Sequence, residues 1–248
     1  MTKLDRAALL KFAQKEINLF HNCRISRLQK LRFKEILRKK NPYLFKAKNI
    51  LTAQDLISGV MDAFLSSSEE KIFGDFLEKL AIFVSSQCYG GKKSSAPGID
   101  LEFDRDRIRF LVSVKSGPSW GNSSQYQALE SNFRRAVTVQ RQNKQTVGIQ
   151  PVLGICYGNT RTADKGLYIK YTGQAFWCFL SGDPNLYIDI IEPIGHEARK
   201  HNNAFKQEKA RLVNRFTAEF LHLFCTEDGT VDWPKLIKFN SGNLERNV

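Results

Sequence analysis

Apolar residues recur at three- and four-residue steps near the start of the chain, where Leu9, Phe12, Ala13, Ile17 and Phe20 predict a helix over about residues 4–20. Leu28, Leu31, Ile36 and Leu37 predict a second helix over 25–37, ended by Asn41-Pro42 because the residue before a proline avoids the helical region. Thr52 fits an N-cap for a helix through Phe64, and Ser67 or Ser68 followed by Glu69 and Glu70 predicts a new helix running to about Gln87. A Gly-, Lys-, Ser- and Pro-containing loop over 89–98 separates these helices from segments of different character. Residues 99–103 and 108–115 read as β-strands joined by a hairpin loop over 104–107. A loop over 116–124 then leads to a helix over 125–142 carrying Leu129, Phe133, Ala136 and Val137, followed by strands over 150–157, 166–171 and 186–191. A long helix over 195–224 closes the pattern, and the last twenty residues are weakly patterned. The order implies an α/β fold: a mixed β-sheet core flanked by helices, with an N-terminal helical elaboration.

Charge is unevenly spread over this plan. The 248 residues carry a net +13; residues 1–50 hold fourteen Lys or Arg against Asp5, Glu16 and Glu35, so 14 − 3 = +11, leaving +2 for the rest. A basic stretch of this kind suits contact with a polyanion, and Arg24, Arg27, Lys30, Arg32, Lys34, Arg38, Lys39 and Lys40 surround the second helix rather than line one face. That distribution points to phosphate contact more than to base reading. The apolar fraction of 42% is ordinary for a soluble chain, and no apolar run approaches the roughly 18 residues a membrane span needs, so the cytoplasm is the expected address. Five single cysteines without C-x-x-C spacing and four histidines without zinc-site spacing argue against disulfides and structural zinc. Gly90-Gly-Lys-Lys-Ser94 lacks the spacing of an ATP-binding loop, although Lys92 and Lys93 remain candidates for DNA contact.

Alternation in the two paired strands supplies candidate chemistry. Over 108–115, Ile108, Phe110, Val112 and Val114 share the expected core face, while Arg109, Leu111, Ser113 and Lys115 share the other. Ile99, Leu101 and Phe103 bury in the preceding strand, which turns Asp100 and Glu102 outward, so Asp100 and Lys115 are expected to meet across the sheet surface. A carboxylate after a Pro-Gly turn, a backbone carbonyl such as that of Val114, and a strand-end lysine suit hydrolysis of a phosphodiester with Mg²⁺, a cation that prefers oxygen ligands. Ser116, Trp120, Asn122, Ser123 and Gln125, in the loop after the lysine, are candidate donors to DNA phosphates.

Pro97-Gly98-Ile99-Asp100 followed by Ser113-Val114-Lys115 resembles the PD-(D/E)xK nuclease superfamily. Three further blocks, at residues 41–49, 66–74 and 115–125, resemble Type II restriction endonucleases of the PmeII type. The resemblance implies a restriction-endonuclease-like core over 66–248, a DNA-binding and dimerisation region over 1–65, Mg²⁺ as cofactor, and double-stranded DNA as substrate. It further implies a homodimer, a cognate DNA methyltransferase, and a prokaryotic cytoplasmic setting. One departure stands out: Ser113 occupies the position of the middle acidic residue and offers only a hydroxyl. A second carboxylate is therefore expected, with Glu78 on the preceding helix as first candidate and Glu102 as its competitor. Asp100, Lys115, Glu78 and Ser113 form the expected catalytic set, and Asp100, Glu78, Glu102 and Val114 the expected metal shell. A structure-selective or repair nuclease, and a non-catalytic DNA-binding protein with a decayed core, are the alternatives.

Overall fold

The computed structural model describes residues 2–142 and 148–243; residues 143–147, the last five of the expected 66–248 region, and Met1 lie outside the described residues. The chain forms two compact units, one from residues 1–19 and 73–196, the other from 20–72 and 197–248. The units are interleaved along the chain, which differs from the expected linear division after residue 65.

The first unit is built on a sheet of six strands: β1 (Lys92–Lys93), β2 (Leu101–Arg105), β3 (Ile108–Lys115), β4 (Gly148–Ile155), β5 (Ala163–Asp164) and β6 (Ile169–Thr172), in the order β1-β2-β3-β4-β6-β5. Strands β2 and β3 form an antiparallel hairpin in which Arg105 opposes Ile108. Its two loop residues, Asp106 and Arg107, both have positive φ (53° and 60°), the backbone twist that two-residue hairpins favour. Parallel pairing requires a crossover, and α5 (Ser123–Gln142) provides it between β3 and β4. Leu129, Phe133 and Ala136 of α5 pack on Leu111, Leu153 and Ile155 of the sheet. Burying a side chain such as Phe133, at 0% exposure, contributes about 1.5–3 kcal/mol.

The opposite face is aromatic. Phe103 and Phe110 stack at 5.2 Å, and Phe179 of α6 (Gln174–Ser181) reaches Phe103, Phe110 and Tyr171. Both faces are therefore covered, which corrects the expectation that Leu111 and Ser113 lie on an open side: each is 0% exposed. The predicted strand over 186–191 is instead the short helices α7 (Leu186–Asp189) and α8 (Ile191–Ile194). Leu186 and Ile190 bury while Ile188 and Ile191 are exposed, a four-residue period that an alternating reading of a short apolar run misses.

The second unit is helical. It contains α2 (Phe33–Arg38), α3 (Pro42–Ala47), α9 (Ala198–Phe224) and α10 (Trp233–Ser241), with parts of α1 (Arg6–Gln29) and α4 (Ala53–Tyr89). Phe216, Phe220, Met61, Ile57, Leu28 and Ile36 are at the centre of its core. Two helices predicted on either side of Ser66 are one continuous α4, where the Ser67 hydroxyl donates back to the Ala63 carbonyl and so stays compatible with the helix. Helix α10, absent from the sequence reading, starts at the Asp232 cap, which accepts from the Lys235 N–H, with proline in its first turn.

Candidate active site

The carboxyl ends of β3, β4 and β6 all lie at one edge of the parallel part of the sheet. Lys115 closes β3 at this edge, and Asp100 sits just before β2, its N–H donating to the Val112 carbonyl. Since Leu101 pairs with Val112, Asp100 stands opposite Ser113, two residues short of Lys115. Asp100 and Lys115 therefore share a face, as expected, but the immediate partners of Asp100 are its strand neighbours. Its Oδ2 accepts a 2.6 Å bond from the Val114 N–H and a 3.3 Å bond from the Ser113 hydroxyl. Ser113, fully buried, thus fixes the aspartate rather than replacing a carboxylate. The turn before Asp100 depends on Gly98, at φ +75°, where a Cβ would lie 2.1 Å from the Asn132 side chain of α5.

Glu78, the first candidate for a second carboxyl, lies on α4 within the same unit. Burial first, and the charge of Asp100 second, push its pKa above the ordinary glutamate range, while Lys93 at 3.5 Å works against them. The buried Cys156 thiol is pushed up by burial and by the charges of Asp100 and Glu78 as well. Glu102 is already engaged, accepting from the Ser94 hydroxyl at 3.3 Å and pairing with Lys92 at 3.3 Å. Both lysines remain mostly exposed. Among the described residues no group of three or more His, Cys, Asp or Glu side chains is disposed to hold a metal ion. What the site could offer a cation is the carboxylate of Asp100 and that of Glu78, which lies near enough to feel its charge, oxygen donors of the kind a hard divalent ion prefers.

The loop after Lys115 brings several expected residues together. The Lys115 ammonium lies 5.4 Å from the centre of the Trp120 ring, which itself packs on Tyr126 at 4.6 Å. Ser116 Oγ and Trp120 Nε1 are buried polar atoms with no hydrogen-bond partner among the described residues. Asn122 and Gln125, by contrast, are already used: Asn122 Oδ1 accepts from the Gln125 N–H at 3.1 Å, and Gln125 Oε1 accepts from the Asn122 N–H at 2.9 Å, a reciprocal cap on α5. Ser123 is exposed at the first turn of that helix.

The expected DNA-binding cations of the second unit divide in the same way. Arg24 is largely buried, stacked 4.0 Å over Phe205 and paired with Glu69 at 2.8 Å. Arg27 donates to Ser68, Lys39 pairs with Glu35, and Lys40 donates to the Ala63 carbonyl. Lys30, Arg32 and Lys34 are exposed.

The model of the Type II restriction endonuclease EcoO109I family matches residues 7–202 of the 248. The chain belongs to that family. Its six-stranded mixed sheet flanked by helices is the restriction-endonuclease-like fold expected from the sequence, and the family is one of nucleases that act on DNA. Comparison with curated proteins finds no match to the chain. The family match covers the whole sheet, α4 and α5, and so every element that carries Glu78, Asp100, Ser113 and Lys115. No described helix of this EcoO109I-family chain is long and apolar enough to cross a membrane. The sequence reading missed Tyr157, whose ring occupies the space where a Cβ of Gly117 would fall, and the polar Asn159–Arg161 segment beyond it. Their signal was a polar loop directly following a buried strand.

Proposed function

We propose that the chain is a Mg²⁺-dependent restriction endonuclease that cuts both strands of duplex DNA at a short specific site. The observation that carries this reading is Asp100, held by the Val114 N–H and the Ser113 hydroxyl at the strand edge that Lys115 closes, with its charge felt by Glu78. In it, Asp100, Glu78 and the Val114 carbonyl would hold the ion, with Asp100 Oδ2 fixed by the Ser113 hydroxyl and the Val114 N–H. Bound Mg²⁺ supplies Lewis-acid polarisation of the phosphate and a more acidic water. Lys115 stabilises negative charge on the scissile phosphate. Lys92 and Lys93, mostly exposed beside the carboxyls, extend the phosphate track, and Lys30, Arg32 and Lys34 add sequence-independent contacts. Glu102 stands second to Glu78 because both of its carboxylate oxygens are taken, by Ser94 and by Lys92, whereas Glu78 pairs among the described residues only with the mostly exposed Lys93 and feels the charge of Asp100.

The blocks at 41–49, 66–74 and 115–125 support a PmeII-like member of the family. A homodimer matches the two-fold symmetry of a palindromic site, a cognate methyltransferase protects the host, and both belong in a prokaryotic cytoplasm. Incubation of the protein with a long plasmid tests the reading. Discrete fragments with Mg²⁺, abolished by EDTA, by Asp100→Ala and by Glu78→Ala but retained by Glu102→Ala, are expected. A smear, junction-only cutting, or DNA binding without cleavage overturns it, and full activity in Glu78→Ala removes Glu78 from the site.

A further inference from the structure

A cleft of about 580 Å³ opens at the same edge of the sheet, between the loop that follows β4 and the helices α7 and α8. It lies at the carboxyl ends of β4 and β6, beside the end of β3, and open α/β sheets bind ligands at that edge. Tyr157 joins the cleft to the proposed site, since it lines the cleft while its ring packs against Gly117, two residues after Lys115. The walls combine two partly exposed phenols, Tyr157 and Tyr187, with an apolar floor that includes Leu77 and Ile194. Exposed Asn159 and Arg161 stand at the rim. Gln174 and Ala175 also line it, the first two residues of α6, whose N–H groups precede the first helical bonds, made by Phe176 and Trp177 to the Gly173 carbonyl. Its tight entry is fixed by backbone contact: Gly173, at φ +56°, lies so close to the Gly158 carbonyl that a Cβ there would fall 2.2 Å from the oxygen.

Aromatic walls take a base by stacking, an amide reads a base edge, and a guanidinium beside a helix start takes a phosphate. The volume suits one such unit rather than a stretch of duplex. We propose that this cleft binds a single nucleotide unit, with its base between Tyr157 and Tyr187 and its phosphate at Arg161 and the start of α6. An unstacked nucleotide of the DNA being cut and a free nucleotide share this chemistry; the first source rests on the endonuclease reading, the second does not.

The experiment uses the full chain with Tyr187→Ala and Arg161→Ala, each checked by thermal melting against the unaltered protein. Plasmid cleavage with Mg²⁺ first maps a cut site. The mapped fragment is then bound in Ca²⁺ and treated with permanganate and chloroacetaldehyde, which attack unstacked or unpaired bases, and in a separate arm each of the four deoxynucleoside monophosphates is titrated calorimetrically. One hyper-reactive base near the cut, lost in both variants, supports the cleft with DNA as the source. Mononucleotide binding weakened roughly tenfold in both variants, about the effect of losing one stacking partner, supports the free source. Absence of both signals, or signals unchanged in both variants, overturns the proposal. A plasmid left uncut refutes the endonuclease reading, and the mononucleotide arm still decides the cleft.

Discussion

Replacing Gly98 with alanine tests whether the turn that presents Asp100 is held by α5. The added methyl would lie 2.1 Å from Asn132 Nδ2, 2.7 Å from its Cγ and 3.0 Å from its Cβ. The left-handed backbone at φ +75° costs an alanine about 1–2 kcal/mol. Driving the Asn132 side chain out of its rotamer and repacking around it adds about 1–2 kcal/mol. The sum, about 2–4 kcal/mol, corresponds to a fall of roughly 5–15 °C in Tm for a chain of this size. In an Asn132→Ala background Nδ2 and Cγ are gone and only the backbone cost and the tight Cβ contact remain, so the two substitutions should couple by about 1 kcal/mol. Urea unfolding of the four proteins of this cycle, followed by circular dichroism, measures both numbers. Additivity of the two substitutions within about 0.3 kcal/mol would refute the idea that Asn132 braces the turn. A cost below about 0.5 kcal/mol for Gly98→Ala alone would refute the strain.

Two further outcomes separate structural from functional roles. Arg24→Ala should cost about 1–2 kcal/mol of stability through lost stacking on Phe205 and an unpaired Glu69, leaving the salt dependence of DNA binding unchanged. Lys30→Ala should leave Tm in place and lower the slope of log affinity against log salt by about 1, and the reverse assignment would show that the buried arginine is the DNA contact. His21, buried and stacked on His201 at 4.4 Å, has its pKa pushed down to about 4 by burial, then by His201 and Arg24. The folded state then binds fewer protons than the unfolded chain between pH 6.5 and 4, so stability from this group is complete above 6.5 and is lost as pH falls through that window. Between pH 7.5 and 4.5 the protein should lose roughly 2–3 kcal/mol more than a His21→Phe variant, and parallel losses in denaturant titrations at the two pH values would rule the group out.

Much of the site was legible because short-range rules governed it. Alternation over 108–115 placed Ser113 and Lys115 on one face, and alternation over 99–103 in the paired strand turned Asp100 to the same side. The side chains that engage other groups were not legible, because their partners are distant in sequence. Arg24 meets Phe205 and Lys92 meets Glu102, and neither pair follows from a period or a motif. Nothing local announced that both faces of β3 would be covered, since an open-sided and a two-sided strand differ only in what later segments supply. The break expected at Ser66–Ser68 failed for a different reason: serine competes with a helix only when its hydroxyl finds a better acceptor, and here Ser67 bonds within its own turn.

The sheet is bounded on both sides by strands of two residues, β1 carrying Lys92 and Lys93, and β5 carrying Ala163 and Asp164. Outer strands so short, one of them doubly charged, give an incoming chain few main-chain groups to ladder onto. Strand addition is thereby discouraged at the margin where fibril growth begins. In the proposed homodimer, two copies would then meet through helices and loops. The spacing between their cutting centres would be set by side-chain packing, and substitutions on a helical surface would retune it while leaving the sheet intact.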